Sequence, residues 1–245
     1  MSVTSLYTGM AGLQALTAQM EAVAANLANQ QTTGYAAVQA ATEAAAYQGA
    51  NAPVGAAPVA LTAGPNPAQG SLTHTGDPLD VALGGNAWLL VQTSAGNALT
   101  RDGSLQISNA GLLTDASGNP VLNAGGQPIS LPPLANLQIG ADGTVSGVPA
   151  ATPGGAAQNF GQIDLVATPG TLTPLSGTLY SPGSATLGPA SNASLHQGYL
   201  NASNVDPTQA MMSLITDSRS YQLQTNLMKT QSGANQALNA VLSQA

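Results

Sequence analysis

The sequence predicts an α+β fold in which N- and C-terminal helices pair as an antiparallel coiled coil around a central all-β domain of short antiparallel strands. Three observations predict it. The first thirty or so residues and the last forty are poor in Pro and place apolar residues at helical spacing. The stretch between them is rich in Gly and Pro, with short apolar runs and hairpin-type turn signals. A chain that leaves a helix, builds a β domain and returns to a helix brings its two ends together, so the helices are each other's natural partner. The expected division is 1–33 plus 204–245 as a helical domain, 34–75 as an extended connector and 76–203 as the β domain.

From Val3 to Leu27 a heptad places Val3, Met10, Thr17 and Ala24 at one seam position and Leu6, Leu13, Met20 and Leu27 at the other. Leu16 and Val23 widen the stripe. This 3.5-residue recurrence is the coiled-coil pattern, softened by Thr17 and Ala24. Ser2 or Thr4 is the expected cap, and Thr32, Thr33 and Gly34 the stop. At the other end, Asp206 before Pro207 marks a helix start, because proline's missing N–H costs nothing at the first helical position. Gln209 is placed to complete a variant capping box. Met211, Leu214, Ile215, Tyr221, Met228, Leu238, Val241 and Leu242 follow, with an offset stripe through Leu223 and Leu227. Two stripes imply contacts on more than one side. Gly233 is an internal weak point, costing about 1 kcal/mol relative to Ala.

Beyond Gly34 an Ala-rich stretch to Tyr47 is able to continue as helix, but Pro53, Pro58, Pro65 and Pro67 end that possibility and point to a connector. From Gly76 onward Leu79, Val81 and Leu83 alternate, and Trp88 to Val91 reads as a buried strand. Leu105/Ile107, Ile129/Leu131, Leu137/Ile139, Val145 and Ile163/Leu165 continue the pattern. Gly84-Gly85-Asn86, Asp102-Gly103, Asn109-Ala110-Gly111, Gly118-Asn119-Pro120, Gly125-Gly126 and Asp142-Gly143 separate these runs.

Composition removes several function classes. Charged residues are 5% of the chain, against roughly 25% in an ordinary globular domain. Arg101, Arg219 and Lys229 are the only basic residues, too few for a nucleic-acid or anionic-lipid surface. A surface polar through Thr, Ser, Asn and Gln repels its own copies weakly, which suits self-association. There is no Cys, hence no disulfide, thiolate metal site or cysteine nucleophile. No apolar run is long enough to insert in a membrane, and no Sec-type signal peptide is apparent. His74, Asp77 and Asp80 cluster in sequence, but Asp77-Pro78 reads as a turn and Asp80 alternates on a strand. His196 is isolated. The expectation is therefore no catalytic, cofactor or metal site. Asn192-Ala-Ser and Asn201-Ala-Ser match a glycosylation triplet that is common by chance. The competing class is a surface-binding β module with helical ends, which one Trp and one Phe supply poorly with stacking groups.

Three blocks carry a family resemblance. Residues 25–35, ANLANQQTTGY, hold Asn26, Leu27, Ala28, Asn29, Thr33, Gly34 and Tyr35. Residues 76–93 and 99–118 form a second block. Residues 197–229 hold Asn204, Val205, Asp206 and Pro207, then an Arg-x-aromatic step at Arg219 and Tyr221. In this order they resemble the bacterial flagellar rod and hook proteins. Length and the wording Leu-Asp-Val-Ala-Leu followed by Trp-Leu-Leu-Val-Gln look most like a proximal-rod protein, with the distal rod as runner-up. The resemblance implies a non-enzymatic subunit of the basal-body rod that crosses the periplasm. Its partners would be other rod proteins, copies of itself and the flagellar type III export apparatus, and it would be exported without a cleaved signal peptide. The assembly interface expected from the stripes comprises Val3, Leu6, Met10, Leu13, Leu16, Met20, Val23 and Leu27 with Met211, Leu214, Ile215, Tyr221, Leu227, Met228 and Leu238. Asn26, Asn29 and Gly34 are expected to set how the chain turns outward, ordinary C-terminal capping being the plain alternative for the asparagines. Ala36, Ala37 and Val38 depart from the family, where a basic residue is common.

Overall fold

A computed structural model describes residues 3–46, 56–152, 154–167, 172–183, 187–190 and 192–242, with side chains left aside at 3–7, 40–46, 56–63, 235 and 238–242. Helix α1 spans Val3–Ala28 and helix α2 spans Pro207–Leu242. Asp206 caps α2: its Oδ1 accepts the amides of Thr208 at 2.9 Å and Gln209 at 3.1 Å, satisfying two donors that the first turn leaves open. Ser2, one of the two expected caps of α1, lies outside the described residues. The helix runs unbroken past Gly233, where an added Cβ meets nothing within 4 Å. Gly233→Ala is therefore expected to stabilise α2 by about 1 kcal/mol, read as a higher melting midpoint of the helical circular-dichroism signal. A lower midpoint would show that the glycine answers a need of the helix.

The chain forms two compact units. The first combines Met1–Ala28, Val38–Ala63 and Asp206–Ala245. Strands Val38–Ala46 and Ala56–Pro65 pair here as a two-stranded sheet, in a region where the sequence reading named no strand and allowed a helix to Tyr47. Tyr47 and Pro53 lie outside the described residues. Pro58 and Pro65 fit because a two-stranded ribbon has only edges, where a missing N–H need not break a ladder.

The second unit, Asn29–Ala37 with Gly64–Val205, holds the core. Its largest sheet has six strands in the order Thr173–Ser176, Leu179–Ser181, Gly96–Thr100, Trp88–Thr93, Leu165–Ala167, Gly188–Pro189, antiparallel throughout. Gln158–Gln162, Thr144–Pro149 and Leu134–Ile139 form a three-stranded sheet whose last two strands join across Asp142-Gly143. Val81–Gly84 pairs with Ser194–Gln197, and Leu72–His74 with Tyr199–Asn201. The run Trp88–Val91 shows why a continuous apolar stretch is a doubly buried strand. Leu89 and Val91 enter one cluster with Leu83, Leu113, Ile129 and Ile163. Trp88 and Leu90 enter the other with Leu99, Leu122, Val166 and Tyr180. The Tyr180 ring stands edge-on to Trp88 at 5.2 Å. Its hydroxyl donates to the Ala36 carbonyl at 2.9 Å, and burial pushes its pKa up to about 12.

Candidate functional site

The two ends of the chain meet on unexpected faces. Across the α1–α2 contact, Gly9 faces the Met228 side chain, Gly12 faces Gln224, and Gln19 Nε2 donates to Asp217 Oδ1 at 3.1 Å. Residue numbers rise along one helix as they fall along the other. The heptad residues Met10, Leu13 and Thr17 flank that contact rather than centring it. These three residues line an open groove with Gln14, Ala18, Glu21 and Tyr221. Small residues win the contact because a glycine lets backbones approach where a leucine would hold them apart.

The α1 side of the contact is thus small and polar, and much of the pair's apolar surface points outward. Asp217 is buried, one oxygen bonded to Gln19 and the other without a hydrogen-bond partner; burial is the main force raising its pKa, opposed by the Gln19 bond. Such a half-satisfied carboxylate weakens the pair by about 1–3 kcal/mol. On α2, Met211, Met212, Ile215, Tyr221, Leu223 and Leu227 are exposed, Met212 at 66% and Leu223 at 65%. On α1 Met10 is exposed, while Leu13, Leu16, Met20, Val23 and Leu27 are half-buried. Leu214 and Met228 are half-buried as well. The side chains of Val3, Leu6 and Leu238 lie outside the described residues.

The family-motif residues act through side-chain amides. Asn26 both donates to the Val38 carbonyl and accepts the Val38 amide, each at 2.8 Å, as a neighbouring strand would. These two bonds tie the last turn of α1 to the strand that begins at Val38. Ala28, exposed, ends α1, and Asn29 opens the turn by accepting the Thr32 amide at its carbonyl and the Thr32 hydroxyl at Oδ1. Thr33 follows within that turn. Gly34 has φ +67°, donates to the Asn201 carbonyl at 2.8 Å, and lies so close to the Arg101–Asp102 peptide that a Cβ would collide with it. Tyr35 is buried, and burial raises its pKa.

Asn204 Oδ1 accepts the Ala37 amide at 2.7 Å while Nδ2 donates to Ala68 at 2.7 Å and Asn66 at 3.1 Å. Val205 is half-buried, and the exposed Asp206 and Pro207 open α2. Sequence reasoning missed Asn201, which is buried and clamps Leu83 by both its N–H and its carbonyl. The repeated Asn of Asn201-Ala-Ser-Asn204 was the available signal. It also missed Arg101, a buried guanidinium that donates to Pro67 at 2.7 Å and Gly85 at 2.5 Å, stacks 5.3 Å over Trp88, and has its pKa lowered mainly by burial.

Two of the residues that cluster near position 77 in sequence make structural contacts. Asp77 Oδ1 accepts the Leu79 amide, and the His74 ring stands against Tyr199 at 4.8 Å. Among the described residues no group of three His, Cys, Asp or Glu is placed to hold a metal ion. No helix among them is long and apolar enough to cross a membrane.

Comparison with known proteins separates the remaining classes. Residues 6–35 match the family described as Flagella basal body rod protein. Residues 82–147 match the Flagellar hook protein FlgE/F/G D1 domain, and 196–241 the Flagellar basal body rod FlgEFG protein C-terminal family. The chain is similar to the flagellar basal-body rod protein FlgF of Salmonella typhimurium, 32% identical over 96% of this chain and 98% of that one. The chain belongs to the flagellar basal-body rod protein family. FlgF of Caulobacter vibrioides is 32% identical over 91% of each chain. FlgG of Buchnera aphidicola subsp. Schizaphis graminum is 31% identical, covering 93% of this chain and 95% of that one. For a rod-family chain, nearly all of both helices and the motif asparagines fall inside the matched segments. Arg101, with Gly85 and Trp88, falls in the D1 match.

Proposed function

We propose that this rod-family chain is a structural subunit of the proximal rod, of the FlgF type, which assembles helically through α1 and α2 and transmits torque. The terminal helices act as an antiparallel coiled coil and carry the assembly contacts of the subunit. The observation that carries this reading is the inverted character of the helix pair: Gly9, Gly12, Gln19 and Asp217 meet inside while Met212, Ile215, Leu223 and Leu227 face out. Such a pair gains its hydrophobic stabilisation only when neighbours cover it. The chain reaches its place in the rod across the periplasm through the flagellar type III export apparatus, without inserting in the membrane. Its partners are other rod proteins and its own copies. A distal-rod role of the FlgG type is the second reading, supported by the 31% identity to a FlgG chain.

Replacing Leu13 or Met20 by Asp is expected to abolish rod assembly while export continues. Basal bodies imaged by electron microscopy would lack the rod beyond this subunit, and the protein would still be found outside the cytoplasm. Normal motility in either variant would remove the case for assembly through α1. Deleting the gene and locating the missing rod segment separates proximal from distal.

A further inference from the structure

Charge is scarce on this chain, and its placement on the helical unit is uneven. Of the three basic residues, Arg101 is buried, so Arg219 and Lys229 are the chain's exposed cations, and both stand on α2. The one acid of α2, Asp217, is buried. Helix α1 carries a single charged residue, the exposed Glu21. One helix therefore presents only positive charge and the other only negative.

Shape follows the same division. Met212, Ile215, Arg219, Leu223 and Leu227 recur at steps of three and four residues, which puts Arg219 within one exposed apolar stripe of α2. On α1, Met10, Leu13 and Thr17, with Tyr221 beside them, line an open groove of about 420 Å³ that also includes Glu21. The stripe is convex, apolar and cationic; the groove is concave, mainly apolar and anionic. In so neutral a surface, one ion pair has few competitors, and an Arg–carboxylate fork fixes geometry as well as attraction.

We propose that the α2 stripe of one copy of this chain docks in the α1 groove of a second copy, with Arg219 paired to Glu21. This inference rests on the assembly reading above and names its register. Stripe and groove are different patches of one molecule, so the contact is heterologous and passes from copy to copy instead of closing on a dimer. Desolvation of the pair by the surrounding Met and Leu side chains makes it selective, because a displaced register would leave a charge buried without its partner.

The test is a charge exchange in the full-length chain. Wild type, Glu21→Arg, Arg219→Glu and the double variant are compared by sedimentation, with circular dichroism confirming equal helix content. Each single change is expected to weaken self-association about tenfold or more through like-charge contact, and the double variant to recover most of it. A wild-type chain that stays monomeric at high concentration overturns the choice of a second copy as occupant. A double variant no better than the weaker single overturns the pairing. If Leu13→Asp still blocks rod assembly in cells, that failure leaves the assembly reading standing; if Leu13→Asp assembles normally, it is the reading beneath that falls.

Discussion

Gly34→Ala is expected to lower the melting temperature of the β unit by on the order of 10 °C. Two costs add. At φ +67° an L side chain is strained by roughly 1–2 kcal/mol. The new methyl also meets the Arg101 carbonyl and the Asp102 amide, which are backbone and cannot swing aside as a side-chain tip does. Moving them would disturb the Gly34–Asn201 hydrogen bond and the Arg101 guanidinium held by Pro67 and Gly85. A total near 3 kcal/mol or more follows. The check is thermal unfolding followed by the Trp88 fluorescence, beside Gly233→Ala as the control in which the same kind of change is benign. A Gly34→Ala protein melting within about 2 °C of wild type would mean the loop has room to relax.

Acidification is expected to stabilise the β unit, with Asp102 as the main source. Its pKa is raised to about 6, chiefly by burial and further by Asp115 and Asp80, against the lowering effect of the Ser104 amide bonded to Oδ1 at 3.1 Å. The folded form thus holds this proton more tightly than the unfolded chain, whose carboxyl titrates near 3.8. The stabilisation is full below the unfolded value and is lost as pH rises from about 4 through about 6. Its size is on the order of 2 kcal/mol once the partial exposure of the carboxyl is allowed for. Asp164 shifts in the same direction, by burial. Asp102→Asn keeps an oxygen for Ser104 and carries no charge, so its urea midpoint at pH 7 should rise toward the wild-type value at pH 4. An unchanged pH slope in that variant would place the effect elsewhere.

How far the fold was legible depended on what each contact is made of. The apolar period of α1 and the Asp206-Pro207 start of α2 announced both helices, and Trp88–Val91 announced the central strand. The face joining the helices was hidden, because Gly9 and Gly12 give no hydrophobic signal and work by what they lack. The ribbon Val38–Ala46 with Ala56–Pro65 was hidden for a related reason: alanine contrasts too little with its neighbours to show a period of two. At the site, the motif asparagines stood out in sequence, but their action as substitutes for a neighbouring strand depends on backbone brought in from far along the chain. Asn201 reaches Leu83 across 118 positions and Asn204 reaches Ala37 across 167. The Arg101 clamp was invisible for the same reason.

Those asparagines have a consequence for the working conditions of the molecule. Asn26, Asn201 and Asn204 hold their partners with neutral dipoles, which neither titrate nor attract counterions. Salt and acid that loosen a charged latch pass these by. The contacts that these three asparagines hold are therefore indifferent to the medium bathing them, and sensitivity to it is left to the chain's few charged groups.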